Sequence, residues 1–210
     1  MPASKADITT IFLDIGGVLI ELNLEPLLAE ITRATGLSPR ELWGGQNHNA
    51  YHALERGEIG FEEYYRQVFG PAGGGRQLPI EHFKELWLAV LGRPTPVLDL
   101  LPTLLRQAKV FLLSNSNEVH FSRLYSDHNF MEQVDGVVGS HLVGHRKPER
   151  EIFELALRKA GVRPEQALFV DDFIENVAAA QAMGIRAHHY RDDIDALRIF
   201  LQKYGLHLSA

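Results

Sequence analysis

Ile8-Thr9-Thr10-Ile11-Phe12-Leu13-Asp14-Ile15-Gly16-Gly17 decides the fold. The run from Ile8 to Leu13 reads as a buried strand, and it ends in a lone carboxylate followed closely by two glycines. A charge buried there is expensive unless something cationic meets it. Two later runs repeat the pattern: Val110-Phe111-Leu112-Leu113 ends in Ser114-Asn115, and Ala167-Leu168-Phe169-Val170 ends in Asp171-Asp172. Three strands thus deliver polar groups at their C-terminal ends, where open parallel α/β sheets place ligands.

Between Asp14 and Val110 the strand–helix alternation pauses and the pattern is helical. Pro26 to Thr35 reads as a helix stopped by Gly36, and Ser38-Pro39-Arg40-Glu41 as a capping-box start. Gly44-Gly45 is expected to break that helix. Further helices are predicted over His48 to Arg56, Phe61 to Phe69 and Ile80 to Leu91, with a glycine-rich loop from Gly70 to Gly75. Gly92-Arg93-Pro94-Thr95-Pro96 reads as a stiff linker back to the sheet. Residues 22–92 therefore form a predicted helical insertion, and residues 1–21 and 93–210 the α/β core. At about 70 residues a lone core is marginal, so the insertion is expected to lean on the main domain. From Val97 onward βα units resume, with a helix near Pro102 to Gln107 and others at Val119 to Tyr125, Pro148 to Ala160 and Asn176 to Met183. The remaining elements are strands near Val137 and Ala187 and a last helix ending at Tyr204.

The 210 residues, 45% hydrophobic, can bury a sizeable core. A formal charge of -6, with 21 basic residues scattered along the chain, gives no basic stripe, so neither nucleic acid nor an anionic membrane is the expected partner. The absence of a long apolar span and of a signal-like start predicts a cytoplasmic location. Zero cysteines exclude disulfides and thiolate chemistry.

Each polar group alone has a plain structural use as a cap or turn residue. Together they are what phosphoryl transfer to a carboxylate requires. Asp14 would attack phosphorus, while Asp171 and Asp172 would hold Mg²⁺, which prefers oxygen ligands. Ser114, backbone N–H groups and the Lys147 ammonium would bind phosphoryl oxygens. Gly16 and Gly17 would let the backbone approach closely, and Asn176 would orient a carboxylate.

These stretches resemble the haloacid dehalogenase superfamily of aspartate-nucleophile hydrolases. Asp14-Ile15-Gly16-Gly17-Val18 is similar to its first motif, Ser114-Asn115 to the second, Lys147-Pro148 to the third, and Asp171-Asp172 with Asn176 to the fourth. The resemblance implies a Rossmann-like parallel-sheet core with an α-helical cap inserted after the first motif. It also implies Mg²⁺ held by Asp14, the Gly16 carbonyl and Asp172 with help from Asp171, and phosphate bound by Ser114, Asn115, Gly17 and Lys147. Glu55-Arg56-Gly57-Glu58-Ile59 with Gly16-Gly17 is similar to the sugar-1-phosphate phosphatase branch.

Gly16 departs from the superfamily's phosphatases, most of which carry there an aspartate that protonates the leaving group and then activates water. In the implied cap, Trp43 to Asn49 falls where a loop over the active site is expected, and Asn47, His48 or Tyr51 would read the substrate, with His48 a candidate for the missing acid. The leading expectation is a Mg²⁺-dependent phosphatase of small phosphorylated metabolites, monomeric or homodimeric. Two others stay open: a dehalogenase or related aspartyl-intermediate hydrolase, and a non-catalytic descendant that binds phosphate ligands or protein partners.

Overall fold

A computed structural model describes residues 7–43, 45–70 and 78–208. Strand β1 (Thr10–Leu13) turns into β2 (Ile20–Leu22), after which come α1 (Glu25–Thr35), α2 (Pro39–Trp43), α3 (Gly45–Glu55), α4 (Phe61–Phe69) and α5 (Ile80–Leu88). The chain returns through β3 (Leu91–Pro94), α6 (Leu101–Leu105), β4 (Lys109–Ser114), α7 (Glu118–Asp127), α8 (Phe130–Gln133), β5 (Gly136–Gly139) and α9 (Ser140–Val143). It ends with α10 (Arg150–Ala160), β6 (Ala167–Asp171), α11 (Ile174–Ala182), β7 (Arg186–His189) and α12 (Ile194–Lys203).

The five parallel strands lie in the order β5-β4-β1-β6-β7. Alternation sorts their side chains: Ile11, Leu13, Val110, Leu112, Leu168 and Val170 fill one apolar layer, while Phe12, Phe111, Leu113 and Phe169 fill the other. Leu13 pairs with both Leu112 and Val170, which sets Asp14 beside the ends of β4 and β6. The fold is α/β with a mostly parallel, Rossmann-like sheet. Helices α1 and α3–α5 enclose a third cluster of their own, built on Phe61, Tyr64, Phe83 and Trp87. Among the described residues, no helix is long and apolar enough to cross a membrane.

Several local expectations are corrected. The stiff linker is instead strand β3, which pairs antiparallel with β2, so the two crossings between sheet and insertion form one ribbon. Pro94 is tolerated there because a two-stranded edge does not need its N–H. Thr95 stitches the ribbon's end down, donating its hydroxyl to the Val18 carbonyl, while its N–H reaches the Leu19 carbonyl at 2.9 Å. The loop expected over Trp43 to Asn49 is largely helical, because α3 starts at Gly45; a glycine in a first turn costs less than one inside a helix. Gly44 and the glycine loop over residues 71–75 lie outside the described residues. The short helices α8 and α9 have too few residues to show a period in sequence.

Candidate active site

Asp14 follows β1, and its N–H donates to the Val170 carbonyl at 3.0 Å, locking it to β6. Its own carboxylate accepts the Ile15 N–H at 2.7 Å on Oδ1 and the Lys147 ammonium at 2.8 Å on Oδ2. The same ammonium lies 2.6 Å from Asp171 Oδ2 and is wholly buried. Both Asp171 oxygens have partners, since its Oδ1 also accepts from the Phe173 N–H at 2.8 Å and the Asn176 amide at 2.9 Å. Asp172 differs: its Oδ1 is buried without a partner.

These charges shift one another. Burial pushes the Asp14 carboxyl up, to about 8, against the pull of the Lys147 ammonium. Burial also raises Asp172, to about 6, helped by the neighbouring Asp171 charge. Burial opposes the Lys147 ammonium, but Asp14 and Asp171 outweigh it and raise its pKa. Among the described residues, Asp14, Asp171 and Asp172 are the acidic group whose ligand atoms all lie within 4.8 Å of one another, the spacing a single cation needs. Gly17 serves this geometry by its missing side chain: at φ +73° a Cβ would lie 2.1 Å from Asp172 Oδ2.

The other predicted residues take less direct places. Asn115 holds the Lys147 backbone at two points, accepting from its N–H at 2.7 Å and donating to its carbonyl at 2.8 Å. One N–H of that amide remains for a further acceptor, besides the backbone. The Gly17 N–H is likewise engaged, donating to the Ile20 carbonyl at 2.8 Å, so Gly17 contributes space rather than a donor. Ser114 is buried at the end of β4 with its hydroxyl 3.4 Å from the Asn115 carbonyl, too long to hold it firmly. Lys147 precedes α10 by three residues instead of opening it. Asn47 donates to the Glu41 carbonyl at 2.9 Å, and exposed His48 rests against the His52 ring at 4.0 Å. Neither is brought into the carboxylate cluster.

Sequence reading missed a cleft of about 410 Å³ beside Asp172, lined by Gly17, Glu21, Leu22, Thr95, Tyr190 and Asp192. Its walls come from β2, the end of the ribbon and the turn after β7, segments far apart in sequence with no shared pattern. At Gly16 a Cβ would lie 2.9 Å from the Leu22 Cδ1 methyl, so a side chain there would meet an apolar neighbour.

A sequence model described as haloacid dehalogenase-like hydrolase matches residues 8–184. The chain belongs to that family. Within it, the protein is 30% identical over 186 residues to a sesquiterpene phosphatase of Aspergillus oryzae, covering 86% of this chain and 89% of that one. It is 26% identical over 197 residues to a D-ribitol-5-phosphate phosphatase of Bacteroides thetaiotaomicron, covering 90% and 94%. A family enzyme of the same bacterium, solved with magnesium and inorganic phosphate, superposes with a TM-score of 0.78 at 24% identity over 90% of this chain and 98% of that one. The fold is shared more distantly by an L-2-haloacid dehalogenase of Xanthobacter autotrophicus, at a TM-score of 0.62 and 17% identity over 96% and 85%. The protein is thus a haloacid dehalogenase-like hydrolase with named phosphatases among its relatives.

Proposed function

We propose that the protein is a Mg²⁺-dependent phosphatase of small phosphorylated metabolites that works through an aspartyl-phosphate on Asp14. The observation that supports it most is the strand-end Asp14 carboxylate beside the buried Lys147 ammonium, next to an Asp172 oxygen without a partner. That orphaned oxygen and the room left by Gly17 fit a divalent cation. Asp14, Asp172 and the Gly16 carbonyl would hold it, with Asp171 bracing the site through Lys147 and Asn176. When bound, Mg²⁺ neutralises phosphoryl charge.

The chain's own groups account for the rest. The Asp14 carboxylate attacks phosphorus, and the ester oxygen leaves with the bonding electrons. Lys147, the Ser114 hydroxyl and backbone N–H groups hold the phosphoryl oxygens. Water then displaces Asp14 from phosphorus, releasing phosphate and restoring the carboxylate. Gly16 supplies no proton to the departing oxygen, which favours esters that leave as weak bases, such as anomeric sugar phosphates and aryl phosphates. Residues 22–92 act in this reading as a cap hinged at the β2–β3 ribbon, with His48, exposed on α3, a candidate to read the leaving group.

The two relatives are named for unlike substrates, one for a sesquiterpene and one for D-ribitol 5-phosphate. The deciding experiment is therefore a panel of sugar 1-phosphates, polyol phosphates, prenyl phosphates and 2-haloacids, each with Mg²⁺ and with chelator. Phosphate release that needs Mg²⁺ is expected, with anomeric and aryl esters ahead of primary alkyl esters. Halide release in chelator without any phosphate release would overturn the reading.

A further inference from the structure

Glu55 and Arg56, at the end of α3, grip the turn of residues 146–149 that carries Lys147. Glu55 Oε2 accepts from Arg146 Nε at 2.6 Å. Arg56 holds Glu149 Oε1 through Nε at 2.9 Å and through Nη2. The other Glu149 oxygen accepts the Arg146 N–H at 3.1 Å, and the Glu149 N–H closes the turn on the Arg146 carbonyl at 2.8 Å. Inside the turn, Asn115 binds both the N–H and the carbonyl of Lys147. Gly57, at φ +68°, then brings the insertion so near the sheet domain that a Cβ would lie 2.4 Å from the His141 carbonyl oxygen.

Glu55 is 4% exposed, and its carboxylate is also bound by the Tyr51 side chain. A buried ion pair of this kind adds little net stability, because desolvation offsets the attraction. Its attested use is register, since removing one partner strands the other charge. The register set here is that of the peptide bearing Lys147, whose ammonium must stay within 2.8 Å of two carboxylates.

We propose that Glu55 is a positioning residue: through Arg146 it fixes the Lys147 turn, so that docking of the insertion and assembly of the charged cluster at Asp14 are one event. Only the kinetic half of its test rests on the phosphatase reading. With the insertion undocked, the turn would lose both ion pairs to the end of α3 and keep Asn115 and its own Arg146–Glu149 bonds, and the Lys147 amine would become more open to solvent.

The test compares wild type with Glu55→Gln, Arg146→Glu, and the swap Glu55→Arg with Arg146→Glu. One readout is acylation of Lys147 by an amine reagent, followed by mass spectrometry, with exposed Lys109 as internal control. The other is kcat and KM for p-nitrophenyl phosphate with Mg²⁺. Glu55→Gln is expected to speed Lys147 acylation about tenfold relative to Lys109 and to lower kcat about tenfold, with KM within about twofold. The swap should recover part of both effects, so that the two sites are non-additive. A role in stability alone would move the melting temperature and leave acylation and kcat of the folded protein unchanged, which would overturn the proposal. Additive losses in the swap would overturn it too. Should Glu55→Gln not fold, Arg146→Lys, which keeps the charge but loses the Nε bond, must show the same pattern more weakly or the proposal fails. If wild type hydrolyses no phosphate ester, the phosphatase reading falls, and acylation still decides the role of Glu55.

Discussion

At the C-terminal edge of the sheet, three carboxylates and one ammonium are packed together, whereas the interior of the insertion is aromatic, with Phe83 in ring contact with Phe61, Tyr64, Tyr65, Phe69 and Trp87. At the insertion's boundary charge enters in matched pairs, Glu55 with Arg146 and Arg56 with Glu149. The sheet edge sets three carboxyl groups round one ammonium and leaves one carboxyl oxygen without a partner, whereas those charges at the insertion's boundary are paired. Imbalance marks the place that expects a ligand, while balance marks the place that holds shape.

The comparison would break first at Asp14. Asp14→Asn should keep the fold, judged by circular dichroism and melting, but lose turnover by about a thousandfold or more, read as phosphate release. Turnover close to wild type would remove the covalent mechanism. In the insertion the matching lesion is Phe83→Ala, which empties the centre of the aromatic cluster and should cost about 3–5 kcal/mol in urea unfolding. A loss below about 1 kcal/mol would mean the cluster is not what holds these helices together.

Acid should loosen the junction between the two regions. His120 stacks on Trp87 with ring centroids 5.3 Å apart and bonds its carbonyl at 2.7 Å. Burial pushes its pKa from 6.5 down to about 4, so the native state holds it neutral. As pH falls from 6.5 to about 4 the unfolded chain takes up this proton first. Stability is then lost progressively, by on the order of 3 kcal/mol below both values, and is unaffected by this group above the upper one. Urea melts across that range should show the slope in wild type and a flatter one in His120→Gln.

The sheet-edge imbalance has its own measurement. Mg²⁺ at a few tens of its Kd should stabilise wild type by about 2 kcal/mol in thermal unfolding. Asp172→Ala should abolish that shift; an unchanged shift would put the ion elsewhere. The smallest effect runs the opposite way. Tyr64 has a buried hydroxyl with no hydrogen-bond partner in an otherwise apolar cluster, so Tyr64→Phe should be neutral or stabilise by up to about 1 kcal/mol. A clear loss would reveal a partner for that hydroxyl.

Much of this was legible in the chain itself, for identifiable reasons. Apolar runs ending in Asp14, Ser114 and Asp171 give strands because period and length leave little choice, and parallel pairing then gathers their ends. Asn176 was legible as a carboxylate partner because it lies on the helix just beyond the Asp171-Asp172 pair; the structure assigns it to Asp171. The strand nature of Gly92 to Pro94 was not legible, since glycine and proline carry no strand signal and only pairing with β2 makes one. Nor was the use of Asn115, whose amide holds the Lys147 backbone, or of the Gly17 N–H, which donates to the Ile20 carbonyl.

By itself the sequence determined the α/β class, the run of helices between the first strand and the return to the sheet, and the acidic and lysine residues that gather at one edge of the sheet. These depend on local periodicity and on topology rules that hold for any such chain. Only the tertiary structure decided which carboxylate has partners on both oxygens and which has an oxygen left open, that Leu22 stands against Gly16, and that Glu55 reaches Arg146 beside Lys147. Those facts depend on distances between residues up to 91 positions apart. Hydrogen-bond partners and buried charge are set by such distances, and spacing along the chain does not encode them.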